Sequence, residues 1–385
     1  NHRMNSAPPL YIWQHADWPQ WQYRLEQLAD PLAQVRLQQG LLLGRLQGVG
    51  WELQQQASLL VLTNDVLTTS AIEGEVLNAQ SVRSSLARRL GVDIGALTPA
   101  DRQVEGMVEM VLDATRHAQE DLTVERLQGW HAALFPTGYS GLSAIRVAQW
   151  RDDAQGPMQV VSGGYGRETV HFEAPPAELL PESMQLLLEW VNHNTEHDAV
   201  LKAGLAHLWF LTLHPFDDGN GRMARALGDM LLARADGIAQ RFYSLSAQIQ
   251  RERGAYYQIL ERSQKASMDV TAWLQWFLQA MHAALLAAHA QLDQVLQKAQ
   301  YWQQWQGVAL QERQIKVLNR LLDGFEGKLN NRKWAAIAKV SSDTALRDLQ
   351  DLVEKGVLLR SAEGGRSVHY VLAPLRECGS VLRIK

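Results

Sequence analysis

The chain has 385 residues, 46% of them hydrophobic and 20% charged, with a formal net charge of −4. That balance predicts a globular protein of two or three domains with a sizeable core, and it excludes a whole-protein electrostatic attraction to nucleic acid or membrane. The single cysteine, Cys378, excludes an intrachain disulfide, and no run approaches the length of a membrane span, so the expected location is the cytoplasm.

In chain order, Asn1-His2-Arg3 precede Met4 with no apolar run behind them and read as a ragged start, not a signal peptide. Apolar residues at three- and four-residue spacing then predict helices over 18–33, 35–67 and 102–118. Residues 146–172 break the helical pattern. Gly156-Pro157, Gly163-Gly164 and the β-type pieces 158–161 and 169–172 predict a hairpin there. Pro175-Pro176 stops it, and helices are predicted again over 176–192, 199–213, 223–235 and 270–299. Beyond a boundary near Gly307, helices over 310–322, 332–339 and 341–354 precede strands over 357–360 and 367–372 around the tip 363–366. Three helices followed by a two-stranded wing predict a winged helix-turn-helix. The fold class expected is mostly α.

The run from His214 to Arg225, HPFDDGNGRMAR, carries the chemistry. It follows one apolar helix and opens another. Gly219 and Gly221 let backbone approach a ligand closely, and the free N–H groups of a new helix face it. Arg222 and Arg225 stand in the first turn, where the helix dipole is already positive; a bound polyanion resolves that conflict. Asp218 beside a phosphate site suits magnesium, which takes one or two carboxylates plus phosphate oxygens. His214 can accept a proton near neutral pH. Together these residues point to transfer of part of a nucleotide.

The run resembles the Fic motif, His-x-Phe-x-Asp/Glu-Gly-Asn-Gly-Arg-x-x-Arg, at every fixed position. The resemblance implies a protein adenylyltransferase in which His214 is the base on a target Tyr, Thr or Ser hydroxyl and Asp218 holds Mg2+. It implies that Gly219, Asn220, Gly221, Arg222 and Arg225 bind the phosphates of ATP, and that Phe216 anchors the loop. Glycine at 221, in place of the lysine of related phosphotransferase toxins, favours AMP transfer. Thr69-Ser70-Ala71-Ile72-Glu73-Gly74 fits the family's inhibitory motif, which implies that Glu73 pairs with Arg225 and leaves ATP in an unproductive pose. The hairpin at Met158, Gln159, Val160 and Val161 resembles the flap that docks a target segment by strand addition. Tyr256 and Tyr257 are placed like an aromatic pair beside the nucleotide. Tyr11-Ile12-Trp13, Trp18-Pro19 and 84–91 resemble the N-terminal segment of a bacterial Fic subgroup.

The resemblance thus implies an N-terminal helical region over 1–100 with the inhibitory helix, a Fic core over 101–300 with its flap, and a winged helix over 308–385. It implies ATP and a hydroxyl-bearing protein, including the chain itself, as partners, and a homodimer. Alternatives are a DNA-binding regulator with a nucleotide-sensing core, and net removal of AMP with Glu73 aligning a water. Arg332, Lys333, Arg347 and Arg366 are the candidate phosphate contacts for DNA, but the small basic surplus of the tail places target recruitment or dimer packing first. Asp217 reads as solvated and His207 as a core residue; Trp130-His131 and His193 have no partner legible in sequence.

Overall fold

The computed structural model describes residues 10–95, 97–163, 167, 169–325, 327–362 and 368–375. They form a mostly helical protein that divides into two compact units, Asn1–His289 and Ala290–Lys385.

In the first unit, α1 (Leu25–Gln47) and α2 (Trp51–Ile72) are long helices. The break between them falls at Gly48–Gly50, not at residue 34 as the periodicity predicts, and α1 runs through Pro31. Residues 18–24 are not helical; Trp18 and Trp21 instead pack edge-on against Trp209, at 6.1 and 5.8 Å between ring centroids. Then come α3 (Ala79–Leu90), α4 (Arg102–Arg116) and α5 (Val124–Leu134), each with a side-chain N-cap, from Asn78, Asp101 and Thr123. Short strands β1 (Tyr139–Ser140) and β2 (Ser143–Ala144) pair antiparallel. The predicted hairpin is formed by β3 (Gln159–Ser162) and β4 (Thr169–Glu173), with an irregularity between Val160 and Val161. Met158 and Val160 pack against Tyr11, Phe172 and Ala174, which ties the hairpin to the N-terminal segment.

Helices α6 (Leu180–His193), α7 (Ala199–Leu213), α8 (Asn220–Asp236), α9 (Leu245–Arg251) and α10 (Arg253–Gln264) complete the frame of the site. α7 is apolar around nearly its whole circumference and lies in the core, as a helix with no polar face must. Its Asp198 cap accepts from the N–H groups of Val200 and Leu201. α11 spans Thr271–Gln304.

The second unit contains α12 (Glu312–Leu322), α13 (Asn331–Ala338) and α14 (Ser342–Glu354), followed by β5 (Leu358–Arg360) and β6 (Tyr370–Leu372), which pair antiparallel. Its core gathers Tyr301, Val317, Trp334, Leu349, Leu352 and Val357. Arg313 on α12 grips Asp348 on α14 with two hydrogen bonds of 2.8 and 2.9 Å. The predicted tip, 363–366, and Ser367 lie outside the described residues. The exposed side of α14 presents Arg347 together with Asp343, Leu346 and Glu354, and Lys333 lies over the Phe325 ring. Among the described residues, no helix is long and apolar enough to cross a membrane.

Candidate active site

The run His214–Arg225 is the turn from α7 into α8 together with the first turns of α8. α7 ends because His214 takes a left-handed conformation, φ 48°, ψ 58°. α8 begins after Gly219, φ 82°, which needs glycine for a second reason: a Cβ there would lie 2.9 Å from the Phe135 ring. Asn220 closes the turn on itself. Its side-chain amide accepts from Phe216 N–H and donates to Phe216 C=O, at 3.0 and 2.8 Å.

Two residues that sequence reasoning did not find hold this turn from outside. Arg151, fully buried, donates to the carbonyls of His214 and Pro175 at 2.8 and 2.6 Å, while Asp153 balances its charge at 2.8 Å. It thus supplies donors to the end of α7, where carbonyls lack helical partners. His131 on α5 stacks on Phe216, 4.2 Å between centroids and 11° between planes. It accepts from Ala148 N–H at Nδ1, 3.1 Å, so Nε2 carries the proton and donates to the Asp218 carbonyl, 3.2 Å. Burial pushes His131 down to about 4, so it is neutral at pH 7. Its adjacency to Trp130 gave no hint of this, because its partners lie on other loops.

His214 itself is half-buried. Its Nδ1–H points at the Leu211 carbonyl, 3.3 Å, which leaves the Nε2 lone pair for the cavity. Burial pushes its pKa down to about 4, against the Leu211 hydrogen bond, so it too is a neutral base at pH 7. Asp218 is anchored by the Ser140 hydroxyl on β1 and accepts from Gly219 N–H at 2.6 Å, yet its side chain is 43% exposed and lines the cavity. Asp217 is not simply solvated: it accepts from Arg146 N–H at 2.8 Å and lines the same cavity.

The run Thr69–Gly74 meets this turn from across the chain. Buried polar groups tie α2 to the start of α9, where Asp65 takes the hydroxyl of the N-cap Ser244, and Arg241 in the loop between α8 and α9 donates to Asp229 on α8 at 3.1 Å. Burial, and then Asp65, push the Asp229 carboxyl up. α2 stops at Glu73 because Gly74 turns left-handed, φ 85°; Gly74 N–H returns to Ala71 C=O and Glu75 N–H to Ser70 C=O, both at 3.0 Å. This is a Schellman cap, and it fixes the directions of the two carboxylates that flank the glycine. Glu73 Oε1 lies 2.6 Å from Arg225 Nη2, and Thr69 takes Arg225 Nε at 2.7 Å. The Glu73–Arg225 contact is a single hydrogen bond, not the two-pronged pair that Arg–carboxylate geometry allows. Glu75 meets the other arginine: Arg222 Nη1 donates to Glu75 Oε2 at 2.7 Å, with the guanidinium over Phe135. Nothing in the sequence pairs Glu75 with Arg222. Both arginines are buried, and Arg222 Nε and Arg225 Nη1 have no hydrogen-bond partner among the described residues. Gly221 makes room for Glu73, since a Cβ there would lie 2.2 Å from Glu73 Oε1.

Glu73, His214, Asp218, Asn220, Gly221 and the hairpin residues Met158, Gln159, Val160 and Val161 line one cavity of about 640 Å³, while the buried Arg222 and Arg225 do not line it. The tyrosines divide the wall between them. Tyr256 is fully buried, its hydroxyl 2.9 Å from His207 Nε2, while Tyr257 is 38% exposed with Arg253 over its ring. His207 is thus a core histidine, as read from sequence, and burial pushes it down to about 3. His193 is exposed.

Comparison with known proteins agrees with this geometry. Residues 11–92 match a domain of unknown function, DUF4172, and residues 121–232 match the Fic/DOC family. The chain is 29% identical over 171 residues to the protein adenylyltransferase Fic of Drosophila ananassae, covering 43% of this chain and 31% of that protein. It is 28% identical over 105 residues to a probable protein adenylyltransferase of Aquifex aeolicus, covering 26% of this chain and 33% of that protein. The chain therefore spans about a third of the length of these curated relatives. In fold it is similar to a Fic family protein from Desulfovibrio desulfuricans (TM-score 0.50, 19% identity, 90% of this chain and 95% of that one). A Fic domain containing signaling protein from Bacteroides thetaiotaomicron is similar too (TM-score 0.50, 18% identity, 68% of this chain and 97% of that one). With a complete motif seated between two core helices and these matches around it, residues 121–232 form a Fic/DOC domain.

Proposed function

We propose that this chain transfers AMP from ATP to a hydroxyl of a protein, and that Glu73 restrains it. The observation that carries the reading is one cavity lined by a neutral His214 with a free Nε2, by Asp218 and by Glu73, where Glu73 is laid across Arg225, one of two buried arginines in the adjoining first turns of α8 that each keep an unused N–H. Orphan N–H groups on buried arginines fit phosphate oxygens, which accept strongly from guanidinium. The uncapped N-terminus of α8 adds backbone donors beside them.

Magnesium fits as well. Asp218 offers one accessible carboxylate, and magnesium bound to phosphates needs no more from the protein. When bound there it neutralises charge on the phosphates. His214 Nε2 takes the proton of the acceptor hydroxyl, whose oxygen forms a bond to the α-phosphorus as the bond to the β-phosphate bridging oxygen breaks and pyrophosphate leaves. Arg222 and Arg225 hold the charge that moves onto the leaving phosphates. With Glu73 on Arg225, that second grip is occupied. The free edge of β3 is the natural dock for an extended target segment.

The test is transfer of α-labelled AMP, with ATP and magnesium, by wild type, Glu73→Gly and Glu73→Gly/His214→Ala. Label that rises in the single variant and vanishes in the double supports transferase, brake and base together. No label from any of the three sinks the reading. A wild type that removes AMP from an already modified protein points to the reverse traffic through the same residues.

A further inference from the structure

Ser162, His171 and Glu261 line the same cavity as His214 and Gly221, yet the reaction above makes no use of them. Ser162 ends β3 and His171 lies within β4, so the hairpin sets them side by side. Ser162 Oγ is 2.5 Å from His171 Nε2, and His171 Nδ1 is 2.9 Å from Glu261 Oε2 on α10. The other oxygen of Glu261 accepts from Lys265 at 2.6 Å. That hydrogen bond, with further help from His171, holds the Glu261 carboxyl below its usual range.

Glu261, held as a carboxylate, accepts and cannot donate, so it takes the Nδ1–H of His171. In the neutral ring Nε2 carries the lone pair and accepts the Ser162 O–H. Hydroxyl, imidazole and carboxylate stand in series, each within hydrogen-bond reach of the next. This is the arrangement that makes a serine oxygen nucleophilic, with the base oriented by a third group. The electrophile that the proposed reaction brings into this cavity is the α-phosphorus of ATP.

We infer that Ser162 is a modification site of the chain itself: it accepts AMP within its own cavity, with His171 as base and Glu261 orienting the base. The inference rests on the AMP-transfer reading. Ser162 Oγ forms a bond to the α-phosphorus, the bond from that phosphorus to the bridging oxygen of the β-phosphate breaks, and pyrophosphate leaves. The Oγ proton passes to His171 Nε2. The product is a serine–AMP phosphodiester at the end of β3. Because β3 belongs to a two-stranded sheet, its other edge is the one open to a target strand, and AMP at its end obstructs that dock.

The experiment incubates the Glu73→Gly chain with ATP and magnesium in the presence of a cell lysate, then locates AMP by mass spectrometry of its peptides. The expected result is AMP on Ser162, appearing at a rate per molecule that does not change with protein concentration. Ser162→Ala in the same background is expected to leave that peptide bare, and His171→Gln to slow its labelling about a hundredfold, the scale of a lost general base. Labelled lysate proteins beside an unlabelled Ser162 overturn this inference and leave the transferase standing. An absence of label on every protein overturns both. Ser162 labelling at an unchanged rate in His171→Gln overturns the relay, and a rate per molecule that climbs with concentration overturns transfer within one cavity.

Discussion

The α7–α8 turn and the C-terminal turn of α2 face each other across one cavity, and they are built differently. The α7–α8 turn is held on every side: Arg151 binds the carbonyls at its start, Asn220 closes it from within, and His131 packs on Phe216 and binds the Asp218 carbonyl. The carboxylates at the end of α2 reach Arg225 and Arg222 through one hydrogen bond each, and both are about a third exposed. Catalysis gains from groups fixed in advance, because nothing then has to be reorganised as charge moves. A brake must let go, and a single partly exposed contact can be displaced by a triphosphate. The difference separates what the domain keeps rigid from what it can exchange.

The largest effect should come from the rigid side. His214→Ala in the Glu73→Gly background is expected to lower AMP transfer by about 10² to 10⁴, the range for removing a general base. A loss of under threefold in a labelled-ATP assay would break the assignment. On the brake side the sign reverses. Glu73→Gly removes a charged hydrogen bond of roughly 1.5 to 3 kcal/mol that ATP has to replace, so transfer should rise about 10- to 100-fold. An unchanged rate would mean that Arg225 is not the contact that limits turnover.

Acid should act on the rigid side first. His131 is neutral when folded because burial depresses it to about 4, and an added proton on Nδ1 would face the Ala148 N–H, donor against donor. The folded state therefore binds fewer protons than the unfolded chain. Stability from His131 is complete above pH 6.5 and is lost as pH falls toward 4. Between pH 7 and pH 5 the loss is about 2 kcal/mol. Urea midpoints at the two pH values check this. In His131→Gln the difference between them should shrink by that amount, and an undiminished difference would assign the acid sensitivity elsewhere.

The smallest effect sharpens the comparison most. Glu75→Gln weakens the grip on Arg222 but leaves the Schellman turn and Glu73 in place. Transfer should rise about two- to fivefold, less than for Glu73→Gly, because the amide still accepts a hydrogen bond while losing the charge. A fall in transfer would show that Glu75 serves to hold Arg222 in position for catalysis and not to occupy it.

The periodicity of the chain placed the core helices and the hairpin, because apolar spacing and glycine–proline punctuation are local properties. It missed the break at Gly48–Gly50 and the non-helical stretch 18–24, where tryptophans are recruited to a distant helix rather than to a helix of their own. The run from His214 to Arg225 was legible for the same local reason. Base, carboxylate, glycines and arginines are consecutive, and one turn plus the start of one helix suffices to aim them.

By itself the sequence determined the run His214–Arg225 and most of the elements around it. Only the tertiary structure decided which of them meet. Glu75 and Arg222 are 147 positions apart, Arg151 and the His214 carbonyl 63, and His171 and Glu261 90. Each pair exists because packing of the apolar core, which is blind to the identity of the polar side chains around it, brings distant segments together. The hydrophobic effect that drives that packing is non-directional; direction enters with caps such as Gly74, whose left-handed turn points one carboxylate at each arginine.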